Sequence, residues 1–231
     1  MKQNAVTNAY GCEHCGRTFA RESTIARHLC EQKRRWDEQT RPANRIAYAA
    51  WTKFYQQFQP SKKDRDYRAF IASSYYGGFI KFGTYCVDVR VVNPMAYLDW
   101  SIAEKVALDN WTSDKNYSKF LMQYLQLEDN MDAVKRSIET LLKIAEEQNI
   151  RLEDVLRLHS ANKVCHLVTQ GHISAWLLFN CDSGTDFLGT LNTDQLGMIY
   201  EYINIDKWKI KFKRDGDRVN QVKNLLREAG L

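Results

Sequence analysis

The chain has 231 residues, 44% apolar and 26% charged, which is typical of a globular protein with one sizeable core and room for a small extra module. No apolar run approaches the roughly 20 residues that a membrane-spanning helix needs, and the first residues lack the apolar core of an export signal, so we expect a cytoplasmic protein with no membrane partner. The six cysteines are too sparse for a secreted disulfide framework.

Positive charge is concentrated at the N-terminal end. Residues 1–68 contain fourteen lysine and arginine residues against seven acidic ones, whereas the remaining 163 residues contain nineteen against twenty-one. This asymmetry favours a polyanionic partner for the N-terminal third, although a solvated basic surface would give the same counts.

Cysteines and a histidine near the N-terminus have the spacing of a zinc finger. Two residues separate Cys12 from Cys15, and twelve separate Cys15 from His28. Phe19 and Ile25 occupy the aromatic and aliphatic core positions of a ββα finger, so this segment resembles the ββα zinc-finger family. Because so small a module has almost no other core, bound zinc would supply most of its folding free energy, on the order of 10 kcal/mol.

The fourth ligand departs from the family pattern. The family has a histidine three to five residues beyond His28, but positions 32–34 contain none. We therefore assign Cys30 as the fourth zinc ligand, with His14 as the alternative and a coincidental spacing without metal as the other interpretation. Residues two apart on a helix point about 200° apart, so the helix must end near Leu29 for Cys30 to reach the ion.

Basic residues on and after the finger helix are candidate DNA contacts. Counting back from His28, Arg21, Thr24 and Arg27 lie where ββα fingers face successive bases, and arginine can donate a bidentate pair to guanine. One finger spans only about three base pairs, so we interpret it as an anchor on DNA. A solvated helix face, contact with the protein's own body and a protein-binding finger are the alternatives. The candidate DNA-binding residues are Arg17, Arg21, Thr24, Arg27, Lys33, Arg34, Arg35, Arg41 and Arg45.

The rest of the chain has mainly helical periodicity. We expect a mainly α fold, with a ββα zinc finger and its basic helical extension over residues 1–40 and a compact all-helical domain over 41–231. Residues 79–92 are ambiguous, since Val87, Val89 and Val91 alternate with charged residues as in a short strand. The predicted helices span 44–59, 64–76, 94–106, 114–127, 130–148, 151–158, 162–170, 174–181, 184–190, 193–203, 205–213 and 216–229, with Pro60 ending the first and Gly77-Gly78 as a break or tight contact after the second.

The segment 75–85 is unusually rich in aromatic residues. Because Lys81 lies among them, the rings of Tyr75, Tyr76 and Phe82 are candidates for stacking on unpaired bases. The alternative is that these rings form core.

No sequence motif identifies an enzyme. The chain lacks a Walker phosphate loop and a Gly-x-Ser-x-Gly elbow. Asp182 to Asp186 lacks the full spacing of a calcium loop, and we expect it to cap the helix that follows Gly184. A metal-dependent nuclease built from dispersed carboxylates stays open, because such ligands need not be adjacent in the sequence.

Four stretches of the chain carry a family resemblance: HLCEQKRRW at 28–36, FIKFGTYCVD at 79–88, SGTDFL at 183–188 and YEYINIDKW at 200–208. On these stretches the whole chain resembles a group of functionally uncharacterised zinc-finger proteins carried by large tailed bacteriophages. That resemblance implies the cytoplasm of an infected bacterial host as the location and says little about the biochemistry.

A second resemblance covers about a quarter of the chain. Residues 161–213, with HIS at 172–174 and IYEYI at 199–203, are similar in helix rhythm to the C-terminal part of the helicase-loading family of T-even phages. That family is all-helical, binds forked DNA and recruits the replicative helicase, but it has no finger. Because that family acts on forked DNA and the replicative helicase, the resemblance implies a role in replication or recombination.

These observations lead to one expected function and two alternatives. We expect a non-enzymatic phage protein that binds duplex or forked DNA in replication, recombination or transcription, with zinc as cofactor. The finger would anchor the DNA, and the helical body would bind a single strand or a replication or transcription protein. The alternatives are a metal-dependent nuclease or DNA-modifying enzyme targeted by the finger, and a protein–protein adaptor with a structural zinc finger.

Overall fold

The computed structural model describes residues 10–59 and 65–231, and this part of the chain is mainly helical, as the sequence predicts. The described strands are β1 (Tyr10–Gly11) and β2 (Thr18–Phe19), which pair antiparallel with Tyr10 opposite Phe19. The expected mainly α fold with a small N-terminal ββα element is confirmed. No helix within the described ranges is both long enough and apolar enough to cross a bilayer.

The chain divides into two compact units, an N-terminal unit over Met1–Ser113 and a C-terminal unit over Asp114–Leu231. The expected boundary near residue 40 lies inside the N-terminal unit and stays a prediction. The described α-helices of the N-terminal unit are α1 (Glu22–Ala26), α2 (Glu31–Asp37), α3 (Pro42–Phe58), α4 (Tyr67–Ala72), α5 (Tyr76–Asp88) and α6 (Pro94–Ala103).

Helices α3 and α5 form the centre of the N-terminal unit and pack with their backbones close together. A methyl group at Gly83 would overlap the carbonyl oxygen of Ala43 and lie 3.0 Å from the backbone nitrogen of Ala47. Only glycine permits this approach. Residues 60 and 64, where one helix was expected to end and the next to begin, lie outside the described residues.

The possible strand within residues 79–92 is a wrong prediction, because α5 continues through most of this segment. The helix ends in a Schellman motif, in which Arg90 takes a left-handed φ of 55°. The Val91 N–H donates to the Cys86 carbonyl at 2.9 Å, and the Arg90 N–H donates to the Val87 carbonyl at 3.2 Å. The alternating valines therefore come from a helix end that folds Val91 back into the core.

The break expected at Gly77-Gly78 is also wrong, since both glycines lie in the first turn of α5. The chain breaks earlier, between Ala72 and Tyr76, where the Ser73 hydroxyl accepts the Tyr75 N–H at 3.2 Å. The tight contact expected there is present at Gly78, which faces the Leu108 side chain.

The C-terminal unit is a set of short helices around α8. Its buried core includes Val134 and Leu141 from α8, Leu177 and Leu178 from α11, and Leu226 from α15. The described α-helices are α7 (Asp114–Leu127), α8 (Asn130–Gln148), α9 (Val155–Leu158), α10 (Ala161–Thr169), α11 (Ala175–Leu178), α12 (Asp182–Gly189), α13 (Thr193–Tyr200), α14 (Ile205–Arg214) and α15 (Gly216–Glu228).

The start of one helix in the C-terminal unit changes the role expected for the residues around Gly184. Helix α12 begins at Asp182, with Cys181 as N-cap, so Asp182 lies in the first turn and does not cap a later helix. Its negative charge suits the positive end of the helix dipole. Gly184 instead allows close packing, since a methyl group there would lie 2.6 Å from the carbonyl oxygen of Leu178.

Candidate metal centre and nucleic-acid interface

The four residues predicted as metal ligands converge in the structure. One ligand atom from each of Cys12, Cys15, His28 and Cys30 lies within 4.8 Å of all the others. Cys12 Sγ is 3.9 Å from Cys30 Sγ, and Cys15 Sγ is 3.3 Å from His28 Nε2. A tetrahedral ion with bonds of about 2.3 Å to sulfur and 2.0 Å to nitrogen needs separations of roughly 3.5–3.8 Å. The cluster can therefore hold a metal ion and is compatible with zinc.

The turn between the two cysteines is fixed by glycine and backbone hydrogen bonds. Gly16 adopts a φ of 71°, and its N–H donates to the Cys12 carbonyl at 2.8 Å. The backbone N–H groups of Cys15 and His14 lower the pKa of the Cys12 thiol. The N–H of Arg17 acts on Cys15 in the same direction, but burial and the neighbouring thiols outweigh it and raise the pKa of Cys15. The turn thus orients both sulfurs toward one point and crowds them there.

Cys30 reaches the cluster because the helix ends before it. Helix α1 stops at Ala26, and Cys30 is extended, with φ −123° and ψ 158°. The expected helix end near Leu29 is therefore confirmed, and it comes slightly earlier. Cys30 is also the N-cap of α2, since its sulfur accepts the Lys33 N–H at 3.4 Å. The same sulfur thus belongs to the cluster and to the start of the next helix.

His14, the alternative ligand, is not part of the cluster. Its ring lies 5.8 Å from the Trp36 ring, and Trp36 in turn lies 5.9 Å from the ring of Tyr67 on α4. These contacts connect the cysteine turn to the helices of the N-terminal unit.

Arg35, predicted to contact phosphate, contacts its own unit instead. Its guanidinium donates to the Ile71 carbonyl at 2.6 Å and lies 4.1 Å from the centre of the Tyr76 ring. The Tyr67 hydroxyl donates to the Arg35 carbonyl at 3.1 Å. Arg35 therefore holds α2 against α4, which was one of the alternatives for the basic residues.

Two glutamates, which are not among the residues predicted from the sequence, pair with arginines of the basic helical extension. Glu31 pairs with Arg34 at 2.7 Å and with Arg35 at 3.0 Å, while Glu38 pairs with Arg34 at 3.3 Å and with Arg41 at 3.2 Å. Hydrogen bonds from Arg34 and then Arg35 lower the pKa of Glu31 to about 2. Their i,i+3 and i,i+4 spacing was visible in the sequence and could have shown that this cluster is largely neutralised.

The remaining candidate DNA contacts have a different environment. Lys33 is half-buried, and the Thr24 hydroxyl is on the exposed surface of α1. The other candidates are exposed arginines whose side chains form no ion pair or hydrogen bond with any described residue: Arg17, Arg21, Arg27 and Arg45.

The candidate base-stacking residues are mostly core. Phe82 is fully buried, with its ring 5.6 Å from that of Trp111, and Tyr76 is buried against Phe70 at 4.9 Å. Base stacking by Phe82 and Tyr76 is therefore a wrong prediction, because Tyr97 of α6 and Trp111 cover the first ring and Phe70 of α4 covers the second. Tyr75 is 54% exposed, and its role stays a prediction.

Within the described ranges, no second group of three or more metal-binding side chains comes together. Asp182 and Asp186 instead line a cavity of about 530 Å³ in the C-terminal unit, together with Arg157 and His159. Arg157 is paired there with Asp154 at 2.6 Å. The alternative of a nuclease with dispersed carboxylates stays a hypothesis.

Comparisons of the chain with protein-family models, with curated proteins and with solved structures found no match.

Proposed function

We propose that the chain is a zinc-containing DNA-binding accessory protein whose finger anchors it to DNA. This proposal rests on the position of exposed arginines beside the cluster of candidate metal ligands. The four sulfur and nitrogen ligand atoms lie close together, and the short segment that they hold presents Arg17, Arg21 and Arg27 to solvent without acidic partners among the described residues.

Zinc is the metal that suits this ligand set best. Three thiolates and one imidazole with tetrahedral spacing are typical of a closed structural zinc site. The finger also needs such an ion, because Cys12 is the only buried residue between residues 10 and 30. A segment with so little buried apolar surface obtains its folding free energy from the metal, on the order of 10 kcal/mol.

DNA is the ligand that suits the exposed arginines. Arg21 immediately precedes α1 and Arg27 immediately follows it, so each end of the helix carries a guanidinium that pairs with no acidic group in residues 10–59 and 65–231. Such groups bind phosphates without sequence preference and can read guanine in the major groove. Because one finger covers about three base pairs, it supplies attachment and not a full site specificity.

The two phage resemblances and the charge distribution support the biological setting that we propose. We place the protein in replication, recombination or transcription in a phage-infected bacterial cell, on duplex or forked DNA. In this proposal the C-terminal unit provides a second contact, either with a single strand or with a replication or transcription protein.

Salt dependence of DNA binding tests the proposal. Anisotropy of a labelled duplex is titrated between about 50 and 200 mM salt with zinc-loaded protein, the triple variant Arg17→Ala/Arg21→Ala/Arg27→Ala and a control. The control, Lys163→Ala/Lys223→Ala/Arg227→Ala, removes the same charge from exposed positions of the C-terminal unit. Each lost phosphate contact lowers the slope of log K against log salt by about 0.9, so the finger variant should lose roughly 2–3 and the control close to none.

Four outcomes would contradict the proposal. Equal slopes for the finger variant and the control would remove the arginines from the interface. Zinc-loaded protein that binds no DNA would favour the adaptor function. Turnover of labelled DNA with magnesium or manganese would show an enzyme. Protein purified without stoichiometric zinc would remove the metal from the proposal.

A further inference from the structure

A second group of aromatic rings extends from the core of the C-terminal unit to its surface. Trp208 of α14 stacks on Trp176, with ring centres 4.1 Å apart and planes at 27°. Phe179 lies edge-on to Trp208 at 5.9 Å, and Tyr200 lies 6.1 Å from Phe179. Trp176 is buried, whereas Phe179 is 36% exposed and Tyr200 is 48% exposed. We call Phe179, Tyr200 and Trp208 the aromatic surface.

The exposure of these rings contrasts with the central aromatic core of the N-terminal unit. In the N-terminal unit, the rings of Phe70, Phe79 and Phe82 are completely or almost completely buried. Large aromatic side chains are normally placed in cores or interfaces, where their area is removed from water. The aromatic surface is further supported from beneath by the Trp176–Trp208 stack, so its rings are held in place and not merely left at a mobile edge.

The helix that carries Trp208 is strongly basic. Helix α14 contains four lysines and one arginine in ten residues, with Asp206 as its one acidic residue. Lys207 donates to the Leu127 carbonyl and so fixes the helix on its own unit. Lys209, Lys213 and Arg214 are exposed and form no ion pair with a described residue.

We infer that the aromatic surface and the adjacent basic helix α14 form a binding site for single-stranded DNA. Phe179 and Tyr200 stack on unpaired bases, while Lys209 and Lys213 bind the phosphates that link them. A single strand is selected over a duplex because only its bases offer free faces to the rings. The choice of DNA as the ligand rests on the proposed function, but the site itself does not need the finger.

Composition argues against a protein partner at this surface. Cores of protein–protein interfaces are depleted in lysine, whereas single-strand binding sites combine aromatic platforms with a positive groove. Exposed rings beside exposed lysines on one basic helix therefore fit a polyanion with stacking bases better than an apolar protein face.

Binding of an oligo-dT strand by the full chain tests the inference. Anisotropy of a labelled 15-residue oligo-dT is measured for the wild type, Tyr200→Leu, Tyr200→Phe and the control Tyr75→Leu, whose ring is similarly exposed in the N-terminal unit. Removing a stacked ring should weaken binding roughly 5- to 100-fold, so Tyr200→Leu should lose affinity while Tyr200→Phe and Tyr75→Leu keep it. Circular dichroism verifies that each variant is folded.

A charge variant makes the test independent of the ring substitutions. Lys209→Ala/Lys213→Ala should lower the single-strand salt slope by about 1.4, because each phosphate contact contributes about 0.7, and Lys163→Ala/Lys223→Ala should leave it unchanged. Full affinity for oligo-dT in Tyr200→Leu, or no binding of oligo-dT by the wild type at 50 mM salt, would overturn the inference. If the triple finger variant lost oligo-dT binding while the Tyr200→Leu and Lys209→Ala/Lys213→Ala variants kept it, the strand would bind at the finger and the inference would also be overturned. If the triple finger variant lost duplex binding and kept oligo-dT binding, the single-strand site on the C-terminal unit would be supported.

Discussion

Substitution of Gly83 by alanine tests the closest backbone approach in the N-terminal unit. The added methyl would overlap the Ala43 carbonyl oxygen and lie 3.0 Å from the Ala47 nitrogen. These are backbone atoms, so no side-chain rotation can relieve the contact. Helices α3 and α5 must separate by about 1 Å to restore a C···O contact of roughly 3.3 Å.

The expected cost follows from two opposing terms. Overpacking a tight interface destabilises by about 1–3 kcal/mol, and a backbone clash belongs at the upper end of that range. Alanine in place of glycine within a helix raises the free energy of unfolding by about 0.5–1 kcal/mol. We therefore expect Gly83→Ala to lower the free energy of unfolding by about 2 kcal/mol.

Gly77 is a matched control on the same helix. A methyl group there meets no atom within 4 Å, so Gly77→Ala should be neutral or stabilise by up to about 1 kcal/mol. Urea unfolding followed by circular dichroism measures both variants, and the Gly83→Ala midpoint should fall by about 1 M if the slope is near 2 kcal/mol/M. Equal midpoints for the two variants would refute the close packing of α3 against α5.

Two further predictions concern the cluster and a buried ion pair. Cys30→Ala should weaken zinc binding roughly 100-fold, which is about a quarter of the binding free energy of a four-ligand site, whereas His14→Ala should leave the affinity unchanged. Competition with a chromophoric chelator measures the zinc affinity of both variants. Equal losses of affinity would reject Cys30 as the fourth ligand. Arg136→Met should cost about 3–5 kcal/mol near pH 8, because it removes the partner that Glu128 contacts at 2.8 and 2.9 Å. Burial raises the pKa of Glu128 even beside Arg136, so the folded Arg136→Met variant binds more protons at Glu128 than its unfolded state does. The loss of unfolding free energy should therefore shrink as the pH falls toward 5. A loss that does not change with pH would contradict this.

The sequence was sufficient where a structure depends on residues within one short segment of the chain. The spacing of Cys12, Cys15 and His28, with Cys30 two residues on, identified the cluster that the structure brings together. Helix starts were equally local, as at Asn93, whose side chain accepts the Ala96 N–H at 3.0 Å. Local signals were also present but overlooked at Glu31, whose helical spacing already implied its pairs with arginine.

Tertiary structure decided which of two similar surfaces is buried. Nothing near Phe82 in the sequence distinguishes a core ring from an exposed one, and the same holds for Tyr200, yet the first is fully buried and the second is 48% exposed. That outcome depends on which distant helix covers each face, and Gly83 shows how closely α3 does so for α5. Local hydrogen bonds and ligand spacing are written in adjacent residues, whereas burial is a property of contacts between segments far apart in the chain, which no single stretch of sequence contains.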